Sequence, residues 1–206
     1  MNNGFVDRFN KMVDTLLLSF LWIVCCVPVV TVGAATCGLY YAYHKGIRQD
    51  NGHPYRAYFA AFKANFLRAT GIWLAVFVFL GLSLFTCYCL AVMRGMIPMA
   101  GIFSAMGNVI VGFVIMWSLY LFPYLSRFEN TAGNAMKNSA ILTVANLLWS
   151  LLLLLLLAVG VILFVMKPFL LVVLVGVYLW VANLILERIF RRLMTTEERI
   201  LEMQLD

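Results

Sequence analysis

The sequence predicts an all-α fold, a polytopic transmembrane helical bundle of five to six membrane helices plus one interfacial amphipathic helix. Residues 1–206 read as a single membrane domain. Three observations predict this. First, 64% of the 206 residues are apolar and 12% are charged, against about 45–50% and about 25% in ordinary soluble domains. A chain this short cannot hide so much apolar surface from water, whereas a bilayer accepts it. Second, the apolar residues fall in stretches of roughly 20, the length that crosses a ~30 Å hydrocarbon core. Third, Lys and Arg collect in alternate connections, as the positive-inside rule expects. The lipid bilayer is thus the first expected partner. The net charge of +6 reads as membrane orientation, and no nucleic-acid partner is expected.

The elements follow in order. Phe5, Phe9, Met12, Val13 and Leu16 recur at helical spacing, so a first helix runs over about 5–27. Pro28 and Gly33 then interrupt "SFLWIVCCVPVVTVGAATCGLYYAYHKG". One uninterrupted helix over Leu16–Tyr43 would be ~42 Å long, more than the core needs. A hairpin with a second helix over about 32–48 fits better, and a tilted, kinked single span is the alternative. The hairpin also improves the charge distribution, placing thirteen of the fifteen Lys and Arg inside, where a single span places eleven. In the second helix Ala34 and Gly38 form a small-xxx-small pair suited to close packing, and Tyr40, Tyr41 and Tyr43 suit the headgroup level.

In "YRAYFAAFKANFLRA", Tyr55, Tyr58, Phe59, Phe62 and Phe66 share one helical face, with Arg56, Lys63 and Arg68 to its sides. An interfacial amphipathic helix over 55–67 is expected, lying on the inner membrane surface or docking a partner. Membrane helices follow over about 69–93, 100–126, 136–166 and 168–194, the last two joined by the tight turn Lys167-Pro168. Successive connections and the tail carry five, one, two, one and four Lys or Arg. Both termini are therefore expected in the cytoplasm, with the chain multi-pass in the membrane. The polar N-terminal stretch has no signal-peptide pattern, so the first apolar element is expected to stay as an anchor.

Chemistry is sparse. Cys25, Cys26, Cys37, Cys87 and Cys89 all lie in apolar segments without Cys-x-x-Cys spacing, which predicts neither a disulfide framework nor a metal site. His44 and His53 sit at or just past a helix end and read as solvated. No acidic residue falls well within the expected spans, which argues against an ion-coupled transporter acting alone. Thr31, Thr36, Ser83, Thr86, Ser118, Thr143, Asn146 and Asn183 lie within spans, where helix–helix hydrogen bonding is their default role. The segment "PYLSRFENTAGNAMKNSAIL" is the most polar at the membrane boundary. Arg127, Glu129, Asn134, Lys137 and Asn138 are candidates for a partner-docking surface, the plainer reading being a solvated loop with a capped helix. No nucleotide-binding or HExxH motif is present, and no catalytic residue or cofactor is expected.

Three blocks, "LWIVCCVPVVTVGAATCGLYYAYHKGIR", "YRAYFAAFKANFLRAT" and "FPYLSRFENTAGNAMKNSAILT", resemble those of the YesL-like bacterial membrane proteins, a domain of unknown function. The resemblance spans nearly the whole chain. Members of that family tend to be encoded beside carbohydrate-uptake ABC transporters and polysaccharide-degrading enzymes. It therefore implies a non-enzymatic accessory role in carbohydrate uptake, with ABC transporter permease subunits as partners, and supplies no site residues. A small permease or channel acting alone, and an interfacial enzyme using His44 or His53, are the competing readings.

Overall fold

The computed structural model describes residues 3–48, 53–93, 99–128 and 131–192, with side chains from Arg8 onward and excluding that of Arg48. Seven α-helices make up the bundle, with no strand among the described residues: α1 (Asn3–Cys26), α2 (Val32–Ala42), α3 (Pro54–Val92), α4 (Ala100–Arg127), α5 (Ala132–Ala145), α6 (Leu147–Met166) and α7 (Leu171–Phe190). Five of them, α1, α3, α4, α6 and α7, are long and apolar enough to cross a membrane, α7 being counted with the short turn before it. In their most apolar stretches only 11% to 33% of residues are buried. Leu148, Leu155, Phe85 and Val109 are among the many large apolar side chains facing outward. Such a surface is stable in lipid and not in water, which defines a multi-pass membrane protein.

The chain reverses after α1. Pro28 cannot donate to a helical ladder and disfavours the helical conformation at Val27. A short 3₁₀ turn, Val29–Thr31, follows. Thr31 Oγ1 bonds back to the Cys25 carbonyl, and Trp22 Nε1 donates to Thr36 Oγ1 at 3.3 Å. These contacts pair positions on either side of the turn, so α1 and α2 form an antiparallel hairpin. On α1, Thr15 and Ser19 satisfy their hydroxyls on carbonyls one turn back.

Helix α2 is the most enclosed element, with eight of its eleven residues buried. Small residues permit this. A Cβ on Gly33 would lie 2.6 Å from the Ala69 carbonyl oxygen and 2.8 Å from Trp73 Cβ. One on Gly38 would lie 3.0 Å from the Tyr58 carbonyl oxygen. The backbones of α2 and α3 touch directly there, as in membrane helices packed through small residues. Past Ala42 the helix widens into a π-helical turn, Tyr43–Arg48. The two pieces together are shorter than a full span, which leaves five full-length helices.

Three expected boundaries require correction. The interfacial helix at 55–67 and the membrane helix at 69–93 are one 39-residue helix, α3, ~58 Å long. Nothing between Leu67 and Gly71 stops a helix, and α2 supports the junction through Gly33. Conversely, the expected helix at 136–166 is two. It breaks at Asn146 (φ −121°, ψ 44°), where Ser150 Oγ lies 2.9 Å from the Thr143 carbonyl and 3.1 Å from the Tyr120 hydroxyl. Hydroxyl competition for the helical ladder bends such segments. The helix expected over 168–194 begins as a 3₁₀ turn, Pro168–Leu170, and its α-helical part ends at Phe190, residues 193 and 194 lying outside those described.

Antiparallel pairing continues through the bundle. Helix α4 runs back along the second half of α3, with Trp73 against Phe122 and Cys87 against Ser104. Trp117 Nε1 donates to Ser139 Oγ at 2.8 Å, tying α4 to α5. One apolar cluster joins Ala34, Cys37 and Tyr40 of α2 to Tyr120, Phe122 and Phe190. A second joins Leu18, Leu39, Tyr58 and Leu179.

Candidate functional site

Where α2, α4 and α7 meet, the bundle buries ionisable groups. Tyr40 and His44 are one turn apart, on the last turns of α2 and in the π-helical turn that follows it. Arg127 is the last residue of α4, where its charge complements the helix dipole. Glu187 lies in the last turn of α7, one turn after the buried Asn183. Glu187 is 1% exposed, His44 3% and Arg127 16%.

All three partners converge on one carboxylate oxygen. The Tyr40 hydroxyl donates to Glu187 Oε1 at 2.9 Å. His44 Nδ1 lies 3.3 Å from that oxygen and Arg127 Nε 3.5 Å. The Tyr40 hydrogen bond and the nearby Arg127 charge offset part of the several kcal/mol of hydration that a buried carboxylate loses. The arrangement fastens the hairpin and α4 to α7. The second oxygen, Oε2, is buried with no hydrogen-bond partner within the protein. The π-helical turn carrying His44 adds a second feature, since such turns recur at functional sites. Tyr40 and Phe190 meet edge to face with centroids 6.3 Å apart, shielding the cluster.

This cluster revises one reading of the sequence: His44 is interior and not solvated. Glu187 lies in the last turn of α7, at the end of the helix, and is buried there. Glu187 escapes notice because Arg188, Arg191 and Arg192 make its surroundings look like a solvated tail. The available signal is spacing: Asn183 with Glu187 and Tyr40 with His44 are both one helical turn apart, each among apolar residues.

The expected docking residues separate. Arg127 turns inward to Glu187. Asn138 Nδ2 donates to the Tyr124 hydroxyl at 3.0 Å, packing α5 on α4. Asn134 and Lys137 are exposed on α5, whose N-terminus is capped by Thr131, not by an asparagine. Glu129 lies outside the described residues. The aromatic stripe of α3 separates too. Tyr58 is fully buried against the hairpin and Phe62 stacks on it, while Tyr55, Phe59 and Phe66 stay exposed. The Tyr55 hydroxyl donates to Asp14 at 2.8 Å, joining the middle of α1 to the start of α3. Among the described residues no group of three or more His, Cys, Asp or Glu gathers to hold a metal.

The fold and this buried cluster define an α-helical, multi-pass membrane protein whose helix ends are tied through a shared carboxylate. The sequence model of one family, described as "Protein of unknown function, DUF624", matches residues 15–87. That segment runs from α1 through the hairpin into α3, and so includes Tyr40 and His44 but not Arg127 or Glu187. No curated protein and no solved structure matches the chain.

Proposed function

We propose that this chain is a non-enzymatic accessory protein of a bacterial cytoplasmic membrane, acting by contact with other membrane proteins. The observation that carries the reading is where the buried polar side chains go. Tyr40, His44 and Arg127 meet Glu187, Trp117 meets Ser139 and Tyr120 meets Ser150. Each reaches from one helix to another, which is the work of a scaffold. The resemblance to YesL-like proteins makes the permease subunits of a carbohydrate ABC transporter the partners of choice, with exposed Asn134 and Lys137 on the docking face.

Charge supports the orientation. Lys45, Arg127 and Arg188 flank the Glu187 end, and Arg8 and Lys11 precede the apolar part of α1. That end belongs in the cytoplasm by the positive-inside rule, with both termini on that side. A reporter active only outside the cell, fused at Asn3, is expected to be silent.

Affinity purification in mild detergent, followed by mass spectrometry, tests the main reading. Transporter subunits should copurify, and charge reversal at Lys137 should reduce their yield at matched abundance. Their absence, also after crosslinking in cells, would refute it. One observation favours a second reading. Glu187, at the end of α7, is buried with one oxygen outside any hydrogen bond within the protein, and buried ionisable groups in membrane proteins mark ion pathways. Sugar or proton flux through vesicles containing this chain alone would establish that reading instead.

A further inference from the structure

The outward strip of α3 just before its uncharged half combines apolar and basic side chains. Phe59 is 51% exposed and Leu67 84%, with Phe66 between them also facing out. With Phe62 and Lys63 they line a shallow, open depression on the outer face of α3. Arg56 and Lys63 are exposed beside it. From Asn51 to Phe128 the chain has no Asp or Glu at all, while it carries Arg56, Lys63, Arg68, Arg94 and Arg127.

Depth along the helix decides the kind of ligand. From Ala69 to Val92 α3 is uncharged, and this half alone covers the hydrocarbon core. Phe66 and Leu67 lie within one turn of that boundary, where acyl chains begin. Lys63 is six positions before Ala69, ~9 Å along the axis. The headgroup layer is about 5–7 Å thick on each side, and a lysine stem reaches back toward it. Arg56 is two turns further out on the cytoplasmic side.

We infer that this strip is a binding site for anionic phospholipid, with Lys63 taking phosphate oxygens, Phe66 and Leu67 covering the upper acyl chain, and Arg56, further out, attracting the charged headgroups through space. The partner is a lipid whose headgroup keeps a net negative charge, such as phosphatidylglycerol. Zwitterionic lipid offers the same chains without the charge and binds there more weakly. The inference is independent of any transporter partner.

The test uses the full chain in nanodiscs of equal phosphatidylglycerol and phosphatidylcholine, released gently and analysed by native mass spectrometry. The readout is the ratio of the two lipids retained. Wild type should favour phosphatidylglycerol. The double substitution Arg56→Glu and Lys63→Glu should lower that ratio by about fivefold or more per residue, the size expected of one basic side chain at an anionic surface. The charge-preserving pair Arg56→Lys and Lys63→Arg should keep it. Both residues are exposed, so elution and melting in phosphatidylcholine alone should match wild type. An unchanged ratio in the double Glu variant would overturn the assignment and leave the strip to a protein partner. Equal retention of the two lipids by wild type would overturn it as well.

Discussion

Helices α2 and α6 invert the usual relation between hydrophobicity and burial. Helix α6 reads "LLWSLLLLLLLAVGVILFVM", yet only Ser150 and Leu153 of its twenty residues are buried. Helix α2 reads "VGAATCGLYYA" and buries eight of eleven. In water the leucine run would be the core. In a bilayer lipid tails solvate leucine as well as other leucines do, so hydrophobicity no longer sorts inside from outside. Small residues that let backbones touch, and polar groups that find partners across a helix interface, mark the interior.

The largest expected effect is at the carboxylate of the α2 end. Glu187→Ala removes the acceptor of the Tyr40 hydroxyl and the carboxylate that His44 and Arg127 face. Breaking a buried pair costs about 3–5 kcal/mol, and the partial exposure of Arg127 places this one near the lower value. Denaturant titration in detergent should show a loss of that size. A loss below about 1 kcal/mol would mean that the cluster does not hold α7 to the hairpin.

Glycine substitutions sharpen the contrast. Gly33→Ala drives a methyl into the Ala69 carbonyl and Trp73, which overpacks the hairpin at a cost of about 1–3 kcal/mol. Gly160→Ala in α6 meets nothing within 4 Å and improves helix propensity by up to about 1 kcal/mol. Thermal melts should therefore move in opposite directions, and equal shifts would erase the distinction. Smallest of all is Leu148→Ala on α6, at an 83% exposed site. Its melt in detergent should stay within about 0.5 kcal/mol of wild type.

The same inversion explains what the sequence could and could not reveal. The all-α class was legible because long apolar stretches between basic connections admit little else. Pro28 and Gly33 marked the turn region, since proline acts locally. The joining of 55–67 to the following helix was not legible. Arg56, Lys63 and Arg68 looked like a surface segment, and only the packing of Gly33 on Ala69 shows the chain running on. The break at Asn146 depends on Ser150, whose hydroxyl reaches Tyr120 thirty residues earlier. Arg127 looked like a loop charge because its partner lies sixty residues later. Pairings of this kind are tertiary: the one-turn spacing of Tyr40 with His44 and of Asn183 with Glu187 marks polar positions, and local pattern does not say which of them meet.

The central claim is that Glu187 joins α2 to α7 directly, and a double-mutant cycle tests it most simply. Tyr40→Phe removes one hydroxyl and keeps the ring against Phe190, while Glu187→Leu keeps a similar volume and removes both acceptor oxygens. A hydrogen bond to a charged group contributes about 1.5–3 kcal/mol. The cycle, measured by reversible unfolding in detergent, should give a coupling of about 1–3 kcal/mol. Effects that add to within about 0.3 kcal/mol would contradict a direct tie between the two helices.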